Sequence, residues 1–406
     1  TILRSRRHRG TDAARTATVK CIEAAKVLKE YMVKEEWKIS KDCYGDFLNE
    51  ALKGGAKVGH MVTKLRAPPL GVGMRLSVMD EISAEEAKWG KLWCHGEVPP
   101  DFTLETVTMG PRITVGDIRR AANSFGAGTA CADGLPVKAV GMLSDVLLGA
   151  LAGLMRLIEE AGVAPDGFGH LLAALIPKGD GSNRPIVLFR SVMRVMDKVL
   201  ARRVKRWETE RLVGAPFGNS GYRQTTDHTY RFALRQAVSI VLGVDMHGAV
   251  LQLDLAKCFE MVQRKIFWQA ASDLGYPMSV ARLSLGLYGD ERRIIGAFGV
   301  ASKPMWAARG IAAGSAYATS ELKAVLYGMA MRLQAGNQVK RALTIFVDDV
   351  ACGFLGSSED EVVGMVVSTY KLIVEELKKV DLPIAPAKTE VMATSEAIRE
   401  RVWKAF

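Results

Sequence analysis

Two apolar stretches of this chain end in acid. Val250-Leu251-Gln252-Leu253 runs into Asp254 and continues as Leu255-Ala256-Lys257-Cys258-Phe259-Glu260. Leu343-Thr344-Ile345-Phe346-Val347 runs into Asp348-Asp349 and resumes as Val350-Ala351. Both read as strands by composition. Carboxylates there need compensation, because burying a charge without a partner is costly. One solution is a turn that exposes both side chains to water. The other is a divalent cation bridging carboxylates from neighbouring strands. Magnesium takes oxygen ligands and keeps several waters, so two or three carboxylates plus substrate phosphates suffice to hold it. Two such ions about 3.5–4 Å apart can activate an attacking hydroxyl and stabilise the leaving oxygen of an in-line phosphoryl transfer. Asp254 with Asp348-Asp349 could form that clamp.

The elements needed to position these carboxylates are legible around them. Val115 to Ser124 reads as a short helix, followed by a glycine-rich turn from Gly126 to Gly134. Ser144 is a plausible N-cap for an apolar helix through Glu160. Leu171–Ile176, the turn Lys178-Gly179-Asp180-Gly181 and Pro185–Leu188 form a hairpin tipped by Lys178 and Arg184. A helix follows from about Ser191 to Arg211, with Arg190, Arg194, Lys198 and Arg202 repeating every four positions as one cationic stripe. Such a stripe is a solvated face or, beside a basic hairpin tip, a nucleic-acid contact. Residues 1 to about 66 are basic and helical in pattern, with an arginine cluster from Arg4 to Arg9; they read as a solvated helix or as an arm gripping phosphates. Pro68-Pro69 with Gly71 and Gly73 marks a linker, and residues 74 to 110 read as irregular.

Composition bounds the rest. The 406 residues, 49% hydrophobic and 24% charged, suit a folded globular chain, and the net charge of +11 favours polyanionic partners. Six cysteines with no CxxC pair read as reduced, intracellular thiols, and Cys94-His95 has no further ligands at metal spacing. The most apolar stretch, Val146 to Met155, is too short to span a bilayer, so no membrane role is expected. Thr1 in place of Met reads as a piece of a longer polypeptide.

In order, the chain carries blocks that resemble those of reverse transcriptases, most closely the non-LTR (LINE-type) retrotransposon kind. They are Gly126–Gly134, Ile176-Pro177-Lys178 with Asn183-Arg184-Pro185-Ile186, Ser220-Gly221-Tyr222-Arg223-Gln224-Thr225-Thr226-Asp227, Leu253–Glu260, Arg309-Gly310-Ile311-Ala312-Ala313-Gly314-Ser315, Phe346-Val347-Asp348-Asp349, and Leu382–Glu390. Any one block is weak; seven in order, over roughly residues 113 to 395, are strong. The chain departs from the pattern at Ala313, where Gln is usual, at Ala318-Thr319 in place of Ser-Pro, and at Ser220 in place of Arg.

The resemblance implies an α+β right-hand polymerase: fingers and palm, an antiparallel palm sheet backed by helices, and a helical N-terminal extension. The implied spans are residues 1–110 for the extension and linker, 111–245 for fingers, 246–395 for palm, and 396–406 for the start of a truncated thumb or connection. It implies an RNA-directed DNA polymerase working on an RNA template, a DNA primer and deoxynucleoside triphosphates with two Mg²⁺ ions, for which Mn²⁺ could substitute. Asp254, Leu255 (through its backbone), Asp348 and Asp349 would hold the metals. Lys388 would protonate or neutralise the leaving pyrophosphate. Lys178 and Arg184 would reach the triphosphate, Gly314 would line the nucleotide site, and Phe259 would be a gate against the 2′-hydroxyl. Arg190, Arg194, Lys198, Arg202 and Arg223 would contact nucleic acid. Nuclear action follows from the resemblance only, and nothing in the sequence sets the oligomeric state. The alternatives are a palm-fold nucleic-acid-binding protein that has lost catalysis, and an RNA-directed RNA polymerase, which would usually carry Asp where Phe259 stands.

Overall fold

The computed structural model describes residues 78–95, 99–126, 128–165, 168, 170–178, 182–218, 247–296, 299–335 and 340–406. The basic N-terminal segment, the Pro68-Pro69 linker, the hairpin-turn residues 179–181 and the block containing Arg223 lie outside the described residues.

Period-two burial builds the sheet that carries the acidic residues. In β3 (His247–Asp254), Ala249, Leu251 and Leu253 are buried while Gln252 between them is exposed. β7 (Asp349–Gly356) buries Val350, Cys352 and Phe354, and β6 (Arg341–Phe346) buries Leu343 and Ile345. With β8 (Glu390–Ala393) the order is β6-β7-β3-β8, antiparallel throughout. The apolar face rests on α9 (Ala318–Gln334) and α10 (Glu359–Lys379), and α11 (Glu396–Ala405) packs on α10 and β8. This is the antiparallel sheet backed by helices that the sequence predicts.

The second sheet is more mixed than the hairpin alone suggests. β1 (Leu171–Pro177) and β2 (Asn183–Leu188) pair antiparallel, but β4 (Glu291–Ile295) lies parallel to β1 and pairs with the short β5 (Met305–Trp306). The order is β2-β1-β4-β5. Residues 291–306 therefore complete a sheet begun by residues 171–188.

Between the sheets the helices follow their caps. Thr114 and Asp117 form a reciprocal capping box at α2 (Val115–Asn123). Ser144 accepts from the Leu147 N–H at the start of α4 (Asp145–Ala161), after the short α3 (Val137–Gly141). α5 (Ser191–Arg211) is capped from a distance, the Asp133 carboxylate accepting from the Ser191 N–H and hydroxyl at 2.9 and 2.8 Å. α6 (Cys258–Met261), α7 (Arg264–Asp273) and α8 (Met278–Gly289) follow β3. Among the described residues no helix is long and apolar enough to cross a membrane.

Residues 78–93 correct the expectation of an irregular stretch: they form α1 (Val78–Trp93). Its buried face is Ile82, Glu85, Trp89 and Trp93, so a carboxylate interrupts the apolar stripe. Ile82, Trp89 and Trp93 join Ala173, Ile294, Met305 and Ala307 in a small core against the mixed sheet.

Glu321 and Asp197 are among the carboxyls buried in the helical layers. Glu321 accepts from the Ser284 and Tyr288 hydroxyls at 2.7 and 2.8 Å, and Asp197 accepts from Tyr317 at 2.9 Å. Burial pushes both up to about 7, from ordinary values of 4.5 and 3.8. The folded chain therefore holds protons that the unfolded chain has released, and this contribution to stability is lost as pH rises from about 4 through 7. The stability advantage of Glu321→Gln over the parent is expected to grow by ~2 kcal/mol between pH 5 and pH 8 in denaturant melts. A constant advantage would mean that Glu321 is ionised in the fold.

Candidate active site

Register brings the acids together. Asp254, the last residue of β3, pairs directly with Asp349, the first residue of β7. Phe346 pairs with Asp349 across a two-residue hairpin turn, Val347-Asp348, and the Leu255 N–H donates to the Asp348 carbonyl at 3.0 Å. Val347 has φ of +60°, the left-handed region at the first turn position that a two-residue β-hairpin favours. A β-branched residue pays about 1–2 kcal/mol for that backbone. The strain is spent at the turn that presents Asp348.

The segment after α10 delivers the cation. The Ala385 N–H donates to the Asp254 carbonyl and the Ala256 N–H to the Pro383 carbonyl, both at 2.8 Å. Leu255 also bridges Ile384. A 3₁₀ turn, Pro386–Lys388, then places the Lys388 Nζ 2.9 Å from Asp254 Oδ2. That hydrogen bond raises the Lys388 ammonium above its ordinary value, helped by the charges of Asp254, Asp348 and Asp349. Asp349 is also raised, by burial first and then by Asp348 and Asp254 beside it. Burial, with Asp348, Glu260 and Asp254 nearby, holds the Cys258 thiol far above its ordinary value, so it stays neutral.

The chemistry of the donors fits a hard cation: burial and the neighbouring carboxylates both raise Asp349, and a shared dication would offset both. Among the described residues no three His, Cys, Asp or Glu side chains already close around one ion. Magnesium does not require that, since one or two carboxylates plus substrate phosphates satisfy it.

A second set of contacts joins the acidic site to the hairpin. The Phe259 carbonyl accepts from the Ile311 N–H at 2.9 Å, and the Gly310 N–H donates to the Val262 carbonyl at 2.8 Å. The Val187 N–H of β2 donates to the Ala313 carbonyl at 2.6 Å. Gly314 has φ of +120°, and a Cβ there would lie 2.3 Å from the Val187 carbonyl oxygen. The 310–314 loop is thus wedged between α6 and β2, with the half-buried ring of Phe259 against the main core. Arg184, paired with Ile176 across the hairpin, is exposed, as is Lys178, whose N–H closes the hairpin onto the Ser182 carbonyl at 2.7 Å. Burial raises the Glu260 carboxyl, offset by the charges of Lys257, Arg184 and Arg292.

The cationic stripe is partly occupied. Arg190 precedes α5 as its N-cap residue. Arg194 donates to the Ala130 carbonyl at 2.8 Å and, with Lys198, lies over the Phe125 ring at 5.7 and 5.6 Å. Arg202 donates to Asp117 at 3.2 Å.

The model of the family described as reverse transcriptase (RNA-dependent DNA polymerase) matches residues 176–399, more than half of the chain and all of the acidic site. The chain belongs to the reverse transcriptase family. Members of that family are described as RNA-dependent DNA polymerases. Solved structures similar to this chain include apo telomerase from Candida tropicalis, at 13% identity and a TM-score of 0.43, covering 58% of this chain and 46% of that one. Telomerase from Candida albicans in complex with a TWJ fragment of telomeric RNA matches at 11% identity and a TM-score of 0.40, covering 57% and 45%. The chain spans about half the length of these solved relatives or less. No curated protein matches it.

Sequence reasoning missed the part played by α1, by Lys257 and by Arg292. Lys257 occupies the left-handed region at φ of +48° and places its Nζ 5.2 Å from the Trp89 ring centroid; Arg292, fully buried in β4, stacks on Trp93 at 4.9 Å. The available signal was Trp89 and Trp93 at helical spacing within a Glu-, Ala- and Lys-rich window.

Proposed function

We propose that this chain extends a DNA primer with deoxynucleotides along an RNA template, as the polymerase of a non-LTR retrotransposon. The pairing of Asp254 with Asp349, with Asp348 on the adjoining turn, carries the chemistry. The order of the blocks from Gly126–Gly134 to Leu382–Glu390 supports the retrotransposon kind, and nuclear action rests on that likeness alone.

In this reading Asp254, Asp348, Asp349 and Leu255 would hold two magnesium ions, for which manganese could substitute. Bound magnesium would supply activation of the primer hydroxyl and neutralisation of the departing pyrophosphate. Lys388, within hydrogen-bond reach of Asp254, would offer its ammonium to the leaving pyrophosphate. Lys178 and Arg184 grip the triphosphate, Arg by its fork of donors. Gly314 lets the loop lie close to β2 beside the nucleotide. Arg190, Arg194, Lys198, Arg202 and Arg223 track phosphates. Fingers over 111–245, palm over 246–395, an extension over 1–110 and a connection from 396 belong to the same proposal.

Primer extension on an RNA template with magnesium tests it. Incorporation of deoxynucleotides that vanishes in Asp348→Ala supports the reading; tight binding without extension would mean a palm fold that has lost catalysis. Phe259→Ala is expected to admit ribonucleotides about tenfold or more readily, because the ring then no longer meets the 2′-hydroxyl. Unchanged sugar selectivity would leave Phe259 a packing residue. Primer–template affinity is expected to fall steeply with salt as Lys and Arg contacts displace counterions, and a flat titration would confine the charge to solvation.

A further inference from the structure

α1 lies ahead of the family-matched residues, yet it touches three segments that converge on the nucleotide side of the site. Glu85 is the hub, 8% exposed. Its Oε1 accepts from the Asn183 Nδ2 at 3.2 Å, and Asn183 is the first residue of β2, next to Arg184. Its Oε2 accepts from the Trp89 Nε1 at 2.6 Å. Lys88 donates to both oxygens at 3.2 Å and lies 5.1 Å from the Trp89 ring centroid. The other cation on that ring is Lys257, two residues before Phe259. Further along, the Leu92 carbonyl accepts from Arg309 Nε at 3.0 Å and the Trp93 carbonyl from the Ala308 N–H at 2.8 Å, which fixes the entry to the 310–314 loop.

A carboxylate this buried is compensated by its donors, and in accepting from them it fixes where they lie. Asn183 opens β2 of the mixed sheet and Lys257 lies in the turn that follows β3, and Glu85 with Trp89 joins them through two hydrogen bonds and a cation–π contact. We propose that Glu85 and Trp89 are positioning residues for nucleotide binding: they fix the β1–β2 hairpin, with Arg184, against the turn between Asp254 and Phe259. This rests on the polymerase reading above. It assigns to a helix outside the family-matched segment a part in the affinity for the incoming deoxynucleoside triphosphate.

The test is steady-state primer extension by the full chain with the deoxynucleoside triphosphate varied. Glu85→Ala and Asn183→Ala are each expected to raise KM for the nucleotide about tenfold with kcat within about twofold, since the hairpin loses its anchor while the metal-binding acids are untouched. The double variant is expected to be no worse than either single change, because both cut the same link. Glu85→Gln, which keeps an acceptor for one donor, should recover most of the loss. Ile82→Ala loosens α1 without touching the link, so it should lower the thermal midpoint and leave KM unchanged. Additive single variants, or a KM rise as large in Ile82→Ala as in Glu85→Ala, would reduce Glu85 to packing and overturn the inference. If the parent extends primers and Glu85→Ala does so with unchanged KM, this inference alone falls. If the parent extends none, the polymerase reading and this inference fall together.

Discussion

Asp254→Asn is expected to cut magnesium-dependent primer extension by about a thousandfold or more while the fold holds or gains stability. The activity loss follows from removing a charged oxygen donor from the pair that register sets face to face, a change of several kcal/mol in metal-assisted transfer. The stability expectation has the opposite sign for a physical reason. Asp349 is held above its ordinary value partly by Asp348 and Asp254, so neutralising one neighbour relieves repulsion. The amide still offers an oxygen to Lys388. Extension assays beside thermal melts on the same preparation check both halves. Near-parental extension would show that the acidic corner is not where the chemistry occurs.

Gly314→Ala carries the second large effect. Its backbone at φ of +120° is closed to L side chains, and the added methyl would meet the Val187 carbonyl of β2 at 2.3 Å. Neither atom can swing aside, because the Val187 N–H is already bound to the Ala313 carbonyl. A loss of about 3 kcal/mol is expected, with loss of extension as the loop parts from β2. Gly149→Ala is the control. It sits inside α4 with nothing within 4 Å of the added carbon, and it should gain up to ~1 kcal/mol. Equal behaviour of the two variants in denaturant melts would show that the wedge between the 310–314 loop and β2 does not constrain the chain.

What the sequence shows and what it hides divide along physical lines. The strands ending in Asp254 and Phe346 were legible because apolar residues alternate with exposed ones and because an acid at such a position demands an explanation. The hairpin and α5 were legible from turn residues and helical spacing. α1 was not, because the buried face of that helix contains Glu85, and a hydrogen-bonded carboxylate looks the same in sequence as a solvated one. β4 was hidden by Arg292, whose cation is buried on Trp93 where an apolar residue would be expected. The cationic stripe on α5 was visible, but its ties to Phe125, Ala130 and Asp117 come from tertiary contacts that no local pattern announces. Lys388 likewise reaches Asp254 only because residues 383–385 dock on residues 254–256.

The parallel pairing of residues 171–174 with 292–295 also has a consequence for how the chain matures. Residues 171–188 precede the β4 segment in the chain, so the β1 edge that β4 covers has no partner until residues 291–295 are made. Closing so long a loop is slow and leaves the edge available to other chains in the meantime. A fragment that stops before residue 291 is therefore expected to aggregate rather than fold on its own, and refolding of the whole chain should show a slow phase that tracks formation of this sheet.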